Sequence, residues 1–507
     1  MAVARLVAEL HEACVRPIQM QLVNDEDDGS VLYSLEMEDA LDRLEADVVA
    51  VTISPTDAAA VESIDAMWTN CADILVQIAL QHATAASLNR SSSSRSNPIA
   101  VFRVVNVLVT LIEGLDSLDP LSSSSSTTPA TVERWAATML HACSFYLCST
   151  PPSSISTDEC QASAKRILAA LHHRLLRCTH HPSSSVDLFP RLLPHMLSLF
   201  ASKSSKDEWV ATGAVPPRAF AWFVQQVSFP HFSSDVVGRV LALALPLLDQ
   251  VTPATQVVGL SLLHHLLKHG TATDIRWYSD LLVHEMEQTL TTAATSASFL
   301  DATLACLEDL LAVLSPSKQD VTLYDRYFPS LLRQWDMSLD VAVKTVFTAH
   351  ARVWVARLGA PHSLHLLRYL QPLVKVILGC VESAERTLSV EALKTLQAVI
   401  VAAWIRMPGH AEHITLAILK CLAYVKVLLL PLPNANNDHM QTKAAEHITA
   451  QCHATLYLLD QATAQETMAV RVTLQHVAVG CPSLAPICDS ARQYLDDKAA
   501  AAASNSP

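Results

Sequence analysis

The sequence predicts an all-α fold, an α-solenoid of degenerate HEAT- or armadillo-like helix pairs. Three observations carry that expectation. Glycine is scarce, 10 residues in 507, where average usage would supply about 35, so few positions offer the positive φ of tight hairpin turns. Half of the chain is apolar, dominated by Leu, Ala and Val, and Leu and Ala are strong helix formers. The apolar residues recur at helical spacing instead of alternating. One core seldom grows past about 250–300 residues, so this length calls for two domains or an array of small stacked units.

Taken in order, residues 1–205 form a helical region broken by Ser-rich loops. Ser91–Asn97, Ser122–Pro129, Cys148–Thr157, Ser183–Ser185 and Ser202–Ser205 are too polar to bury a core and read as surface loops, as does the acidic Asn24–Ser30. Between them, Ile74, Leu75, Ile78 and Leu80 share one helix, and Val101, Val104, Val105, Leu108, Leu111 and Ile112 stripe the next. Residues 206–495 read more evenly. Helices are expected near Phe220–Val227, Ser234–Leu248, Ala254–Lys268, Thr273–Leu290, Phe299–Leu314, Leu323–Trp335 and Leu339–Arg357. Three more follow at Ser363–Leu378, Glu385–Ile405 and Glu412–Leu430, the second with Leu393, Leu396, Ile400 and Trp404 on its apolar face. Pro361, Pro408-Gly409 and Pro431 mark joints, since proline disfavours helix interiors. A helix pair occupies about 40–45 residues, the length of a HEAT or armadillo unit. Residues 496–507 are Ala- and Ser-rich and read as a disordered tail.

The net charge is −14, and no Lys/Arg run exceeds two, which argues against nucleic acid as a direct partner. Twelve scattered cysteines without a C-x-x-C pair read as reduced thiols packed as small hydrophobes. The longest apolar stretches, Val240–Leu248 and Val425–Leu432, fall far short of the ~20 residues that span a bilayer. The N-terminal turns carry Glu9, His11 and Glu12, unlike a signal peptide. A cytoplasmic and nuclear protein without a membrane partner is the expectation.

Motifs for chemistry are missing. Neither G-x-G-x-x-G nor G-x-x-x-x-G-K-[ST] occurs, so no nucleotide cofactor is expected. His284-Glu285 opens an H-E pair, but Gln288 replaces the second histidine of a zinc site. The His-His pairs at 172/173, 180/181 and 264/265 point about 100° apart on a helix and do not chelate together. No G-x-S-x-G elbow exists. No catalytic, cofactor-binding or metal-ligating residue is assigned. The most distinctive local feature is the aromatic cluster of Trp209, Phe220, Trp222 and Phe223. Tryptophan is enriched in binding hot spots, yet the spacing of Phe220, Phe223 and Val227 along one face favours packing between helices.

The stretch from Trp209 to His269 carries a resemblance. Its W…F-A-W-F-V-Q-Q-V…P run is followed by G-R-V-L-A-L-A-L-P-L-L-D and V-V-G-L-S-L-L-H-H-L-L. It resembles the second Tel-two-interacting protein family at Trp209, Phe220, Trp222, Gln225, Gln226, Val227, Pro230, Arg239, Leu245, Gly259, Leu263, His264 and His265. Looser matches follow at Asp325, Leu331–Arg333, Arg352, Arg357-Leu358-Gly359, Arg368-Tyr369-Leu370 and Glu391–Leu396. The resemblance covers about residues 205–430. It implies a subunit of the Triple-T complex, with Tel-two and the first Tel-two-interacting protein as partners. It implies work with the Hsp90 chaperone and its R-two-T-P co-chaperone in maturing the phosphatidylinositol-3-kinase-related kinases, which serve DNA-damage and nutrient signalling. It brings no catalytic residues. The alternative is another HEAT-type adaptor, such as an importin-like transport receptor.

Overall fold

A computed structural model describes residues 5, 7–9, 11–16, 58–87, 98–116, 129–148, 158–177, 188–202, 215–428, 438–464 and 468–504. Among them there is no strand, and the fold is all-α. The chain divides into two compact units, Met1–Ile275 and Arg276–Pro507. The boundary read from Ser content, at 205/206, lies inside the first unit. The Ser-rich tracts fall almost wholly outside the described residues, as does Trp209.

The first unit contains a π-helical turn at His11–Val15 and then α1 (Ala58–Ser87), α2 (Pro98–Asp116), α3 (Pro129–Leu147), α4 (Asp158–Arg177), α5 (Leu188–Ser202), α6 (Val215–Gln225), α7 (Ser234–Leu248) and α8 (Pro253–His269). Helices α1, α3, α6 and α8 pack in succession and form one layer, with α2, α4, α5 and α7 against it. Each helix has a single apolar stripe, so each needs neighbours to cover it. The α1/α3 contact is built on Trp68 and Trp135, both buried. Trp68 Nε1 donates to the Trp135 carbonyl at 2.9 Å, and Tyr146 Oη to the Leu75 carbonyl at 2.7 Å. Arg134 pairs with Asp65 at 2.7 Å. The buried indole and phenol therefore keep their hydrogen bonds, as burial of such groups requires.

A short helix α9 (Ala272–Trp277) follows. The second unit continues with α10 (Ser279–Ala293), α11 (Ala297–Leu314), α12 (Thr322–Met337), α13 (Val341–Leu358), α14 (Leu366–Val381) and α15 (Arg386–Ala402). After a 3₁₀ turn at Trp404–His410 come α16 (Ala411–Leu428), α17 (Asp438–Thr463), α18 (Ala469–Gly480) and α19 (Ala485–Ser504). Odd helices α11 to α19 pack successively as one layer. Even helices α12 to α18 pack as the other, and each even helix covers the odd one after it. This is the arrangement of a helical-repeat solenoid. Hydrogen bonds between equivalent positions of successive pairs span 39 to 47 residues, which sets the repeat length close to the expected 40–45.

Helix starts follow capping chemistry. Asp340 accepts from the amides of Ala342 and Val343 at 2.7 and 3.3 Å, and Ser233 caps α7 through Val236. Pro253 occupies the first turn of α8, where its missing N–H costs nothing. Pro246, Pro329 and Pro372 lie inside helices, within the spans expected to be helical, and Pro194 lies inside α5; tertiary burial of the surrounding apolar face outweighs one lost backbone bond. Several expectations need correction. The span expected as one helix at Thr273–Leu290 is two, broken at Tyr278. The helix expected at Glu385–Ile405 ends at Ala402, and the chain turns by 118° into α16. Trp404 is therefore 52% exposed and off the apolar face. Leu364 precedes α14 and is exposed. At the C-terminus α19 runs through Ser504, beyond the expected end at Asp496, because its Ala run has the highest helix propensity available. No single helix among the described residues is long and apolar enough to cross a membrane.

Candidate functional site

The family-like positions of the first unit meet where α5, α6, α7 and α8 pack. Phe220, Phe223 and Val227 are fully buried. Phe220 packs at a tilt against Phe200, while Phe189 faces both Trp222 and Phe223. Gln225 and Gln226 are exposed at the end of α6, with Gln226 donating to the Trp222 carbonyl at 3.2 Å. Pro230 is exposed in the α6–α7 turn after a cis peptide bond. His265 reaches from α8 to the Val227 carbonyl at 2.6 Å and packs its ring on Phe232. Burial, outweighing that hydrogen bond, lowers the His265 pKa, so the ring is a neutral donor at pH 7. His264 is half-buried on the same helix. Arg239 donates to Ser198 at 3.2 Å, tying α7 to α5. Gly259 lies at a close approach of α8 to α7. A Cβ there would meet the Leu247 and Leu248 side chains at 3.0 Å and the Ala244 carbonyl at 3.1 Å. These residues are brought together as packing and joint residues of one helix stack.

The looser family-like positions of the second unit pair with one another. Arg352 donates to Glu391 at 2.6 Å, and Lys394 to the same carboxylate at 2.8 Å, joining α13 to α15. Burial raises the Glu391 pKa, but the hydrogen bonds and charges of Lys394 and Arg352 outweigh it and hold the carboxyl below its ordinary value. Arg368 and Tyr369 both reach Asp325, joining α14 to α12. Arg357 donates to the Ser315 and Ser317 carbonyls and lies 5.0 Å over the Tyr324 ring, closing the α11–α12 turn. The spacing of successive helix pairs is thus fixed by charge-assisted bonds at residues that share no catalytic geometry.

One half-buried polar group carries a measurable consequence. His350 on α13 contacts Glu308 through Nδ1 and Asp301 through Nε2, both at 3.0 Å, and Trp354 Nε1 donates to the same Glu308 oxygen at 2.9 Å. Two carboxylate acceptors require both ring nitrogens to be protonated. Burial disfavours that charge, but the hydrogen bonds and charges of the two carboxylates together outweigh it and raise the pKa. A raised folded value means the contribution is fully present below the unfolded value of about 6.5. It is lost as pH rises through the folded value. His350→Gln should therefore destabilise more at pH 5.5 than at pH 8.5, read as the gap in urea midpoint between the two proteins. An equal gap at both pH values would refute the ion-pair assignment.

A cavity of about 20 Å³ beside His350, lined by apolar and aromatic residues such as Leu304, Phe328 and Trp335, holds a single water at most. A larger groove of about 560 Å³ runs open between α16 and α18. Three buried thiols are poor nucleophiles: burial pushes Cys143 up to about 12, and Cys306 and Cys380 also upward. Among the described residues no group of three or more His, Cys, Asp or Glu is placed to hold a metal ion.

No family model matches the chain. TELO2-interacting protein 2 of Mus musculus is 25% identical over 298 residues, 56% of this chain and 54% of its own. The Homo sapiens protein of the same name is 24% identical over 242 residues, 45% and 46% of the two chains. These matches support membership of the TELO2-interacting protein 2 family. The chain spans about half the length of the curated relatives it matches. Among solved structures, the karyopherin Kap121p, crystallised with the SUMO protease Ulp1p, has 10% identity and a TM-score of 0.44, covering 88% of this chain and 39% of that one.

The packing aromatics were legible in the sequence, but the exposed apolar residues at the α15–α16 joint were not. Val401, Trp404 and Ile405 are each about half exposed. The signal was present in Pro408-Gly409, which stops a helix, but the last apolar stripe of α15 ran into Trp404 at the right spacing and hid the break.

Proposed function

We propose that this chain is a non-catalytic scaffold or adaptor subunit of the Triple-T complex. It would bind Tel-two and the first Tel-two-interacting protein, and act with Hsp90 and its R-two-T-P co-chaperone to mature and stabilise the phosphatidylinositol-3-kinase-related kinases. Its site of action would be cytoplasmic and nuclear. The observation that carries this reading is the likeness to proteins named for interacting with TELO2. A stack of helix pairs supports it, since such a fold presents long open faces in place of a closed pocket. The ion pairs that join successive repeats support it as well, because they hold that face in one shape, which lowers the ordering cost of binding.

Affinity purification of the tagged full-length chain with mass spectrometry tests the reading. Co-recovery of Tel-two and the first Tel-two-interacting protein in near-stoichiometric amounts, with Hsp90 below them, is expected. Recovery of a small GTPase with basic cargo in their place would overturn it in favour of a transport receptor.

A further inference from the structure

The second unit carries an exposed apolar edge that the family-like residues do not explain. The α13–α14 turn and the α15–α16 turn touch there: the Ala360 amide donates to the Ala402 carbonyl at 2.9 Å. Leu364 lies about one helical turn past that joint, since Ser363 N bonds back to the Gly359 carbonyl at 3.0 Å. Leu364, Val401, Trp404 and Ile405 are each about half exposed, and Arg406 is exposed beside them. Pro408 and Gly409, on the same 3₁₀ turn, form one wall of the 560 Å³ groove between α16 and α18. Leu416, Val472 and His476 line it further. Single exposed apolar residues are ordinary, but a contiguous set running into a groove marks an interaction surface.

Charge says what fits it. Residues 358–365 and 402–411 contain His362, His365, Arg406 and His410 and no Asp or Glu, in a chain whose net charge is −14; the neighbouring Arg357 is turned to the Ser315 and Ser317 carbonyls and is not counted among them. Glu412 is the one carboxylate among the described residues lining the groove, where His413 and His476 also stand. Tryptophan and arginine together are the residue types that concentrate binding energy, and complementary charge sets partner choice and register.

We propose that this edge docks an acidic, apolar-studded segment of a partner protein. Its apolar side chains pack on Trp404, Ile405 and Val472, and its carboxylates meet Arg406 and the histidine N–H groups along the groove. This deepens the adaptor reading and rests on it.

The test uses the full-length chain co-expressed with Tel-two and the first Tel-two-interacting protein. A benzophenone amino acid replaces Trp404, and the ultraviolet adduct is mapped by mass spectrometry. In parallel, Trp404→Ala and Arg406→Glu are purified with the same partners. The expected adduct lies on a partner segment of net negative charge with at least two large apolar residues. Each variant should lower partner recovery at least tenfold while its unfolding midpoint stays at the unsubstituted value, since both side chains are exposed. An adduct on a basic segment, an adduct on a second copy of this chain, or full recovery with both variants overturns the surface assignment and leaves the adaptor reading standing. Failure of the unsubstituted chain to recover either partner overturns both.

Discussion

Trp354→Ala is expected to lower the stability of the second unit by about 3–5 kcal/mol, the range for removing a large buried aromatic. Trp354 is 1% exposed. It sits edge-on to Tyr324 and stacked on Phe328, both from α12, so it closes the α12/α13 pair. Its Nε1 also donates to Glu308 of α11. Truncation leaves a cavity, removes one of the donors to a half-buried carboxylate, and uncouples two helix pairs at once. Urea unfolding followed by far-ultraviolet circular dichroism reads the change as a lower midpoint. Trp404→Ala makes the contrast: an exposed indole should cost less than about 0.5 kcal/mol. Equal losses in the two variants would show that Trp354 is not a packing residue.

Gly359→Ala is the second large effect, a loss of about 1–3 kcal/mol or more. The backbone at Gly359 is extended, with φ −100°, so conformational freedom is not what the glycine supplies. It supplies space. A Cβ would stand 2.5 Å from the Ala402 Cβ and 2.8 Å from the Val355 carbonyl, and a backbone oxygen cannot swing aside as a side-chain end can. The α13–α14 turn would have to back away from α15, breaking the bond from Ala360 to Ala402. Gly379 is the internal control. A Cβ there meets nothing within 4 Å, so Gly379→Ala on the helix α14 should stabilise by about 0.5–1 kcal/mol. Opposite signs for the two substitutions in one unfolding assay are the expected result.

The fold class was legible because it rests on period and composition. Val101, Val104, Val105 and Leu108 fall on one stripe and all four are buried. Leu393, Leu396 and Ile400 do likewise on α15. Ends were harder to read. Trp404 continues the same spacing, yet the chain leaves the helix two residues earlier, because the α13–α14 turn occupies the place that a further helical turn would need. That contact joins residues 42 positions apart, and no local pattern announces it. The interior prolines Pro246, Pro329 and Pro372 fall inside spans that the apolar period alone marks as helical, because burial of the rest of the helix face outweighs one missing backbone bond. Arg352, Arg357, Asp325 and Glu391 stood out through resemblance alone. Their pairing across helices is what gives that pattern a physical cause: they are joints of the repeat.

Hydrogen–deuterium exchange on the full-length chain, alone and with its co-purified partners, tests the central claim most directly. The account predicts new protection at residues 401–413 and 469–477, where the exposed edge meets the groove. The amides of α11, α13 and α15 that hold the repeat together should exchange equally slowly in both states. Protection confined to residues 215–269, with the edge at Trp404 unchanged, would contradict it: the family-like residues would then be the grip and not the frame.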